Sequence, residues 1–136
     1  MKVLIDTCIW SLALRRKTSV TLSPEEQQAI ATLTRAVQDG RAAIIGPVRQ
    51  EILSGIKDQA TFEKIQKALS VFPDEPLISS DFEEAARLSN LCRSRGIASA
   101  PVDILICAVA RRRQWEILTS DQGLKRCIET LTTHKT

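Results

Sequence analysis

Val3-Leu4-Ile5-Asp6-Thr7 is an uninterrupted apolar run closed by an acid, and its reading decides the fold. An apolar run without alternation marks a strand buried on both faces, as in a parallel sheet covered by helices. An acid just past such a strand lies at the carboxyl edge of the sheet, where open parallel sheets bind ligands.

Working outward, residues 7–15 have helical spacing, and Arg15 to Leu22 reads as a basic loop. Ser23-Pro24-Glu25-Glu26 is a helix start, with Ser as N-cap, Pro at the first position and acids in the first turn. That helix carries Ile30, Leu33 and Val37 and stops near Gly40. Ala42 to Ile45 is a second buried strand, and helices follow over about 48–56 and 60–69. Pro73 and Pro76 mark a loop, and Leu77-Ile78 is a candidate third strand. Ser80 or Asp81 caps a helix that ends before Gly96, and Pro101 opens a strongly apolar helix ending in Arg111-Arg112-Arg113. Glu116 to Thr119 is a further strand, and Asp121 leads into a last helix ending near Thr130. Strands alternating with helices predict one α/β domain spanning 1–136, with a mostly parallel central sheet.

Four acids fall at the sheet edge this order defines. Asp6 follows the first strand, Glu51 lies early on the helix after the second, and Asp121 follows the last strand. Asp103 sits in the first turn of the most apolar helix, among Val102, Ile104, Leu105 and Ile106. A helix N-terminus favours an anion by ~0.3–1 kcal/mol, too little to offset the several kcal/mol that desolvating an unpaired carboxylate costs. If the four meet, each pair ~4 Å apart repels by ~4 kcal/mol at an effective dielectric of 20. Protons or a cation must relieve that repulsion. An all-oxygen donor set suits Mg²⁺ or Mn²⁺, ions that bind substrate phosphates and activate water. Simpler roles compete: Asp6 and Asp121 as caps of the helices they precede, and Glu51 as a solvated acid.

Composition narrows the chemistry. The 136 residues include one His, at position 134, no Tyr, three Phe and two Trp. A His-centred triad, a Cys/His zinc site and an aromatic platform for single strands are therefore disfavoured. Cys8, Cys107 and Cys127 read as small buried hydrophobes, and no CxxC pair occurs. That usage fits a reducing, cytoplasmic setting. The charge following the apolar N-terminal run argues against a signal peptide, and no apolar stretch reaches the ~20 residues that cross a bilayer. Nineteen Lys and Arg against sixteen Asp and Glu give +3. Setting the four edge acids aside leaves twelve against nineteen, so the remainder carries about +7.

The pieces Val3-Leu4-Ile5-Asp6-Thr7, Arg49-Gln50-Glu51-Ile52-Leu53-Ser54-Gly55, Asp103-Ile104-Leu105-Ile106-Cys107-Ala108 and Ile117-Leu118-Thr119-Ser120-Asp121 together resemble the PIN-domain ribonucleases, and within them the VapC toxins of toxin–antitoxin pairs. The resemblance implies a three-layer α/β/α PIN-like domain with four or five short strands. It implies a Mg²⁺- or Mn²⁺-dependent endoribonuclease cutting single-stranded or structured RNA such as tRNA or rRNA, a homodimer, and a small VapB-like antitoxin as partner. The family's acids fall on Asp6, Glu51, Asp103 and Asp121, with Asp6, Asp103 and Asp121 as metal ligands and Thr119 as a supporting hydroxyl. Cys107 stands where Ala is usual, and Gln122-Gly123-Leu124 where an acid and a Phe are common. Arg15, Arg16 and Lys17 are candidate RNA contacts. Arg93, Arg95 and the triple Arg at 111–113 are weaker ones, since cations at helix C-termini also offset the macrodipole.

Other readings fit the residues less well. A haloacid-dehalogenase-type phosphotransferase wants an acid two residues after Asp6, where Cys8 stands. A response-regulator receiver wants an acidic pair before the first Asp and a late Lys. The remaining alternative is a catalytically inactive PIN-like module that binds RNA or protein.

Overall fold

The structure is a computed structural model and describes residues 1–15 and 21–133. Strand β1 (Val3–Ile5) is central, flanked in parallel by β2 (Ala42–Ala43) and β3 (Glu116–Leu118), in the order β2-β1-β3. Val3 pairs with Ala42 on one side and with Glu116 on the other. All of β1 is buried, as its unbroken apolar run requires.

Seven helices are present among the described residues. Helices α1 (Thr7–Arg15), α2 (Pro24–Gln38), α3 (Gly46–Leu53) and α4 (Gln59–Leu69) form one packed group. Helices α5 (Ser79–Ser94), α6 (Pro101–Arg113) and α7 (Gln122–Thr133) form another. The core joins Leu4, Ile5, Ile9, Trp10, Ile44, Val48 and Ile52 to Leu88, Ile106, Val109 and Leu124. Burial of one such side chain contributes roughly 1.5–3 kcal/mol.

Local chemistry sets the element ends. Ser23 and Glu26 form a reciprocal capping box at 3.1 and 2.9 Å, with Pro24 at the first helical position. Helix α5 closes in a Schellman motif: Gly96 N–H donates to the Arg93 carbonyl and Ile97 N–H to the Cys92 carbonyl, with Gly96 at φ +72°. Helix α6 ends similarly, but Gln114 holds the left-handed position at φ 59°.

Two expectations are corrected. The sheet has three strands among the described residues, not four or five. Leu77-Ile78 is not one of them. The loop before it instead touches the sheet at an isolated parallel bridge between Ile44 and Asp74, and Ile78, not Ser80 or Asp81, is the N-cap of α5. The two prolines and the Arg49 side chain explain the substitution. Proline lacks the N–H a ladder needs, and Arg49 donates to Asp74 Oδ1 at 2.9 Å and to the carbonyls of Leu69 and Phe72, fixing the segment as a loop.

Charge at the end of α6 is also reassigned. Arg112 and Arg113 neither offset the dipole alone nor face a groove. Both donate to Asp81, at 2.5 and 2.8 Å, and Arg113 reaches the Pro76 carbonyl at 3.0 Å. Asp81 is completely buried and also accepts from the Ile78 N–H at 2.9 Å. Its proton affinity falls well below the usual carboxyl range, first through the Arg113 hydrogen bond, and despite burial.

Candidate active site

Asp6 leaves β1 and is 4 % exposed. Its backbone N–H donates to the Leu118 carbonyl at 3.0 Å, so the first residue past β1 is locked to the end of β3. Its carboxylate is a hub. Oδ1 accepts from the Thr7 N–H at 2.7 Å, and Oδ2 accepts from the Thr119 hydroxyl at 2.7 Å and the Cys8 thiol at 3.3 Å.

Two threonines link this hub to further acids. The Thr7 hydroxyl donates to Glu51 Oε1 at 2.7 Å. The Thr119 hydroxyl accepts from the Asp121 N–H at 3.0 Å. Asp121 is exposed and also caps α7, Oδ2 accepting from the Leu124 N–H at 2.7 Å. The capping role and the edge position thus coexist in one side chain. Asp6 behaves differently: its carboxylate takes the N–H of the adjacent Thr7, and its carbonyl takes those of Ile9 and Trp10.

Asp103 completes the edge from the first turn of α6, half-buried. Burial raises its pKa to about 6, and the negative charges of Asp6, Asp121 and Glu51 add to the rise. The other three acids singled out in the sequence therefore all act on Asp103. Three are tied by hydrogen bonds through Thr7 and Thr119, while Asp103 is coupled to them through space.

Thr119, singled out in the sequence, is the strand-end hydroxyl that donates to Asp6. Thr7 and Cys8 were not singled out. Cys8 was expected to be a buried hydrophobe, but it is half-buried, with its thiol on Asp6, 3.6 Å from the Thr119 hydroxyl, and accepting from Ser120 at 3.4 Å. Its place two residues after Asp6, in the first turn of a helix starting at the sheet edge, was the available signal. Cys92, Cys107 and Cys127 are buried, and burial pushes the Cys107 and Cys127 thiols up to about 12 and 11, leaving them unreactive.

The donor set fits a hard dication held by one or two carboxylates with water completing its shell. It does not fit a closed cage, since among the described residues no three His, Cys, Asp or Glu side chains come close enough to hold an ion together. Beside Asp6, Arg15 and Cys8 line an open groove with Ser11 and Leu12. Arg16 and Lys17, the other candidate RNA contacts of that loop, lie outside the described residues.

The PIN-domain family model matches residues 3–128, and the chain belongs to the PIN-domain family. Among solved structures, the crystal structure of FitAcB from Neisseria gonorrhoeae is similar with a TM-score of 0.71. It is 14% identical, and the match covers 93% of each chain. At that identity the likeness is one of fold. Against curated proteins the sequence has no match. Among the described residues no helix is long and apolar enough to cross a membrane.

Proposed function

We propose that this chain is a metal-dependent endoribonuclease, the VapC-type toxin of a toxin–antitoxin pair, acting in the cytoplasm as a single domain spanning 1–136. The observation that carries this reading is the gathering of Asp6, Glu51 and Asp121 around Asp103, whose pKa is raised to about 6 by burial first and then by the charges of the other three. A half-buried carboxyl held among three other acids is poised for a cation rather than for stability. Asp6, Asp103 and Asp121 are the residues to hold Mg²⁺ or Mn²⁺, one or two of them directly and the rest through water, and Glu51 faces the same edge. Such an ion, when bound, lowers the pKa of water and offsets charge on a scissile phosphate.

The chain's own side chains have separate tasks. Thr119 and Thr7 orient the Asp6 carboxylate, each by a 2.7 Å hydrogen bond. Thr7 also aims Glu51. Asp103, with its raised pKa, can hold a proton near neutral pH and release it as charge nearby is neutralised. Arg15 and the surrounding positive charge hold RNA phosphates. The partners on this reading are an RNA substrate such as tRNA or rRNA, a small VapB-like antitoxin and a second copy of the chain. The FitAcB similarity supports the fold on which it rests.

The test is cleavage of single-stranded and tRNA-like substrates with Mg²⁺ or Mn²⁺, in EDTA, and by Asp6→Asn and Asp103→Asn. Cleavage that persists in excess EDTA, or in both variants, overturns the reading. The inactive binding module has one observation in its favour, the absence of a three-acid ligand cluster among the described residues. Cleavage abolished by either substitution rejects it, and RNA binding without cleavage establishes it.

A further inference from the structure

A second cavity opens where α5 turns into α6. It measures about 350 Å³ and is lined by Ser89, Arg93, Gly96, Ile97, Ala98 and Ser99. The two helices pack against each other and are joined by residues 95–100, so the end of α5 and the start of α6 share one edge of the molecule. Asp103 stands on that same first turn of α6. The cavity therefore opens at the end of α6 that carries Asp103.

Its lining is built for an anion. Ser89 and Arg93 are four residues apart on α5, so they share a face. The Schellman closure folds the chain back over them, and the left-handed Gly96 is the residue that permits the reversal. Ser99 approaches from the other wall. The Arg93 guanidinium and the Ser89 and Ser99 hydroxyls make no side-chain hydrogen bond or ion pair with another described residue. Arg113 is the contrast: it lies at the far end of α6 and spends its donors on Asp81 and Pro76. A cation in the last turn of α5 also offsets the helix dipole, but that role requires neither a cavity nor two serines in its lining.

We propose that this cavity is a phosphate subsite of the RNA-binding surface, in which Arg93, Ser89 and Ser99 grip a phosphate of the substrate strand beside the one presented to the acids. The inference rests on the nuclease reading for its substrate class. It adds a path: RNA runs from the Arg15 groove, across Asp6 and Asp103, into the Arg93 cavity. The chemistry is that of planar guanidinium recognition of phosphate, reinforced by neutral donors.

The test is binding of a labelled single-stranded RNA, read by polarisation over a salt series. Turnover is stopped by an Asp103→Asn background. Arg93→Ala, Arg93→Gln and Ser99→Ala are compared with Lys64→Ala, an exposed cation on α4. Melting temperatures report folding. The expected result is about tenfold weaker binding for the Arg93 variants, the size of one charge-assisted hydrogen bond. The slope of log affinity against log salt should also fall by about one. Lys64→Ala should match the parent, and in the Asp103-intact protein Arg93→Gln should raise KM with little change in kcat. Arg93 variants that bind RNA as the Lys64 variant does overturn the subsite and leave the nuclease reading standing. A parent that binds no RNA overturns both. If Arg93→Gln leaves RNA affinity intact but loses an oligo-glutamate peptide that the parent binds, the cavity serves an acidic protein segment, and the RNA assignment falls.

Discussion

Asp103 carries a conflict between stability and chemistry. In the unfolded chain its carboxyl titrates near an ordinary pKa of about 3.9, while in the folded protein the value is about 6. The native state thus holds the proton more tightly between these values, and the contribution to stability falls as pH rises from about 4 to about 6. At pH 7 the full destabilisation is present, about 1–2 kcal/mol once solvent screening of a half-buried group is allowed for. Asp103→Asn should therefore melt higher than wild type at pH 7 and no higher at pH 4, while losing cleavage. Equal melting temperatures at pH 7 would show that the acids do not strain one another. Asp103 was readable in the sequence because a charge among Val102, Ile104, Leu105 and Ile106 has no ordinary reason to be there. Thr7 was not readable, and Cys8 was readable only by its place two residues past Asp6, since a hydroxyl or thiol near an acid gains its role only when another strand end supplies Thr119 and another helix supplies Glu51.

At the scale of elements, the ends of α5 and α6 hold two opposite cases. Asp81 has its carboxyl held down by Arg113, Ile78 and Arg112. A lowered folded value contributes stability that is complete above the unfolded pKa of about 3.9 and is lost as pH falls below it. Acid unfolding monitored by circular dichroism should start near pH 4 in wild type. Asp81→Asn should cost about 3 kcal/mol at pH 7, because two arginines lose a buried anion, and should flatten the acid limb. Gln114 is the reverse, a side chain in a left-handed position that costs roughly 1–2 kcal/mol. Gln114→Gly should raise stability by about 1 kcal/mol in urea, after the extra backbone entropy of glycine is subtracted. Helix starts were legible because Ser23, Pro24 and Glu26 interact within a few residues. The Leu77-Ile78 strand was misread because two apolar residues after a proline look the same leading into a strand or a helix, and here Ile78 is the N-cap of α5, its N–H held by Asp81. Arg112 and Arg113 were misread because their partner Asp81 is about thirty residues upstream.

For the molecule as a whole, the alternation of strands and helices was enough to place four acids on one edge, because parallel β1, β2 and β3 all end there. How closely the acids approach was beyond a linear reading, since it depends on side-chain directions set by Thr7 and Thr119. This looseness has a thermodynamic signature. A dication that binds only the folded chain stabilises it by about 1.4 kcal/mol at tenfold its Kd, or about 3–5 °C in melting temperature for a domain of this size. Millimolar Mn²⁺ should produce that shift in wild type and much less in Asp6→Asn. No shift in wild type would remove the metal from the mechanism.

The half-buried Cys8 has a practical consequence. Three of the four thiols are sealed in the core. A colourimetric disulfide reagent should therefore consume one equivalent per native chain and four in denaturant. A dye coupled at Cys8, in contact with Asp6 and opening onto the Arg15 groove, becomes an optical reporter placed at the reaction centre. Its emission should register each arrival at the acids, whether ion, nucleotide or protein, without a cleavage assay.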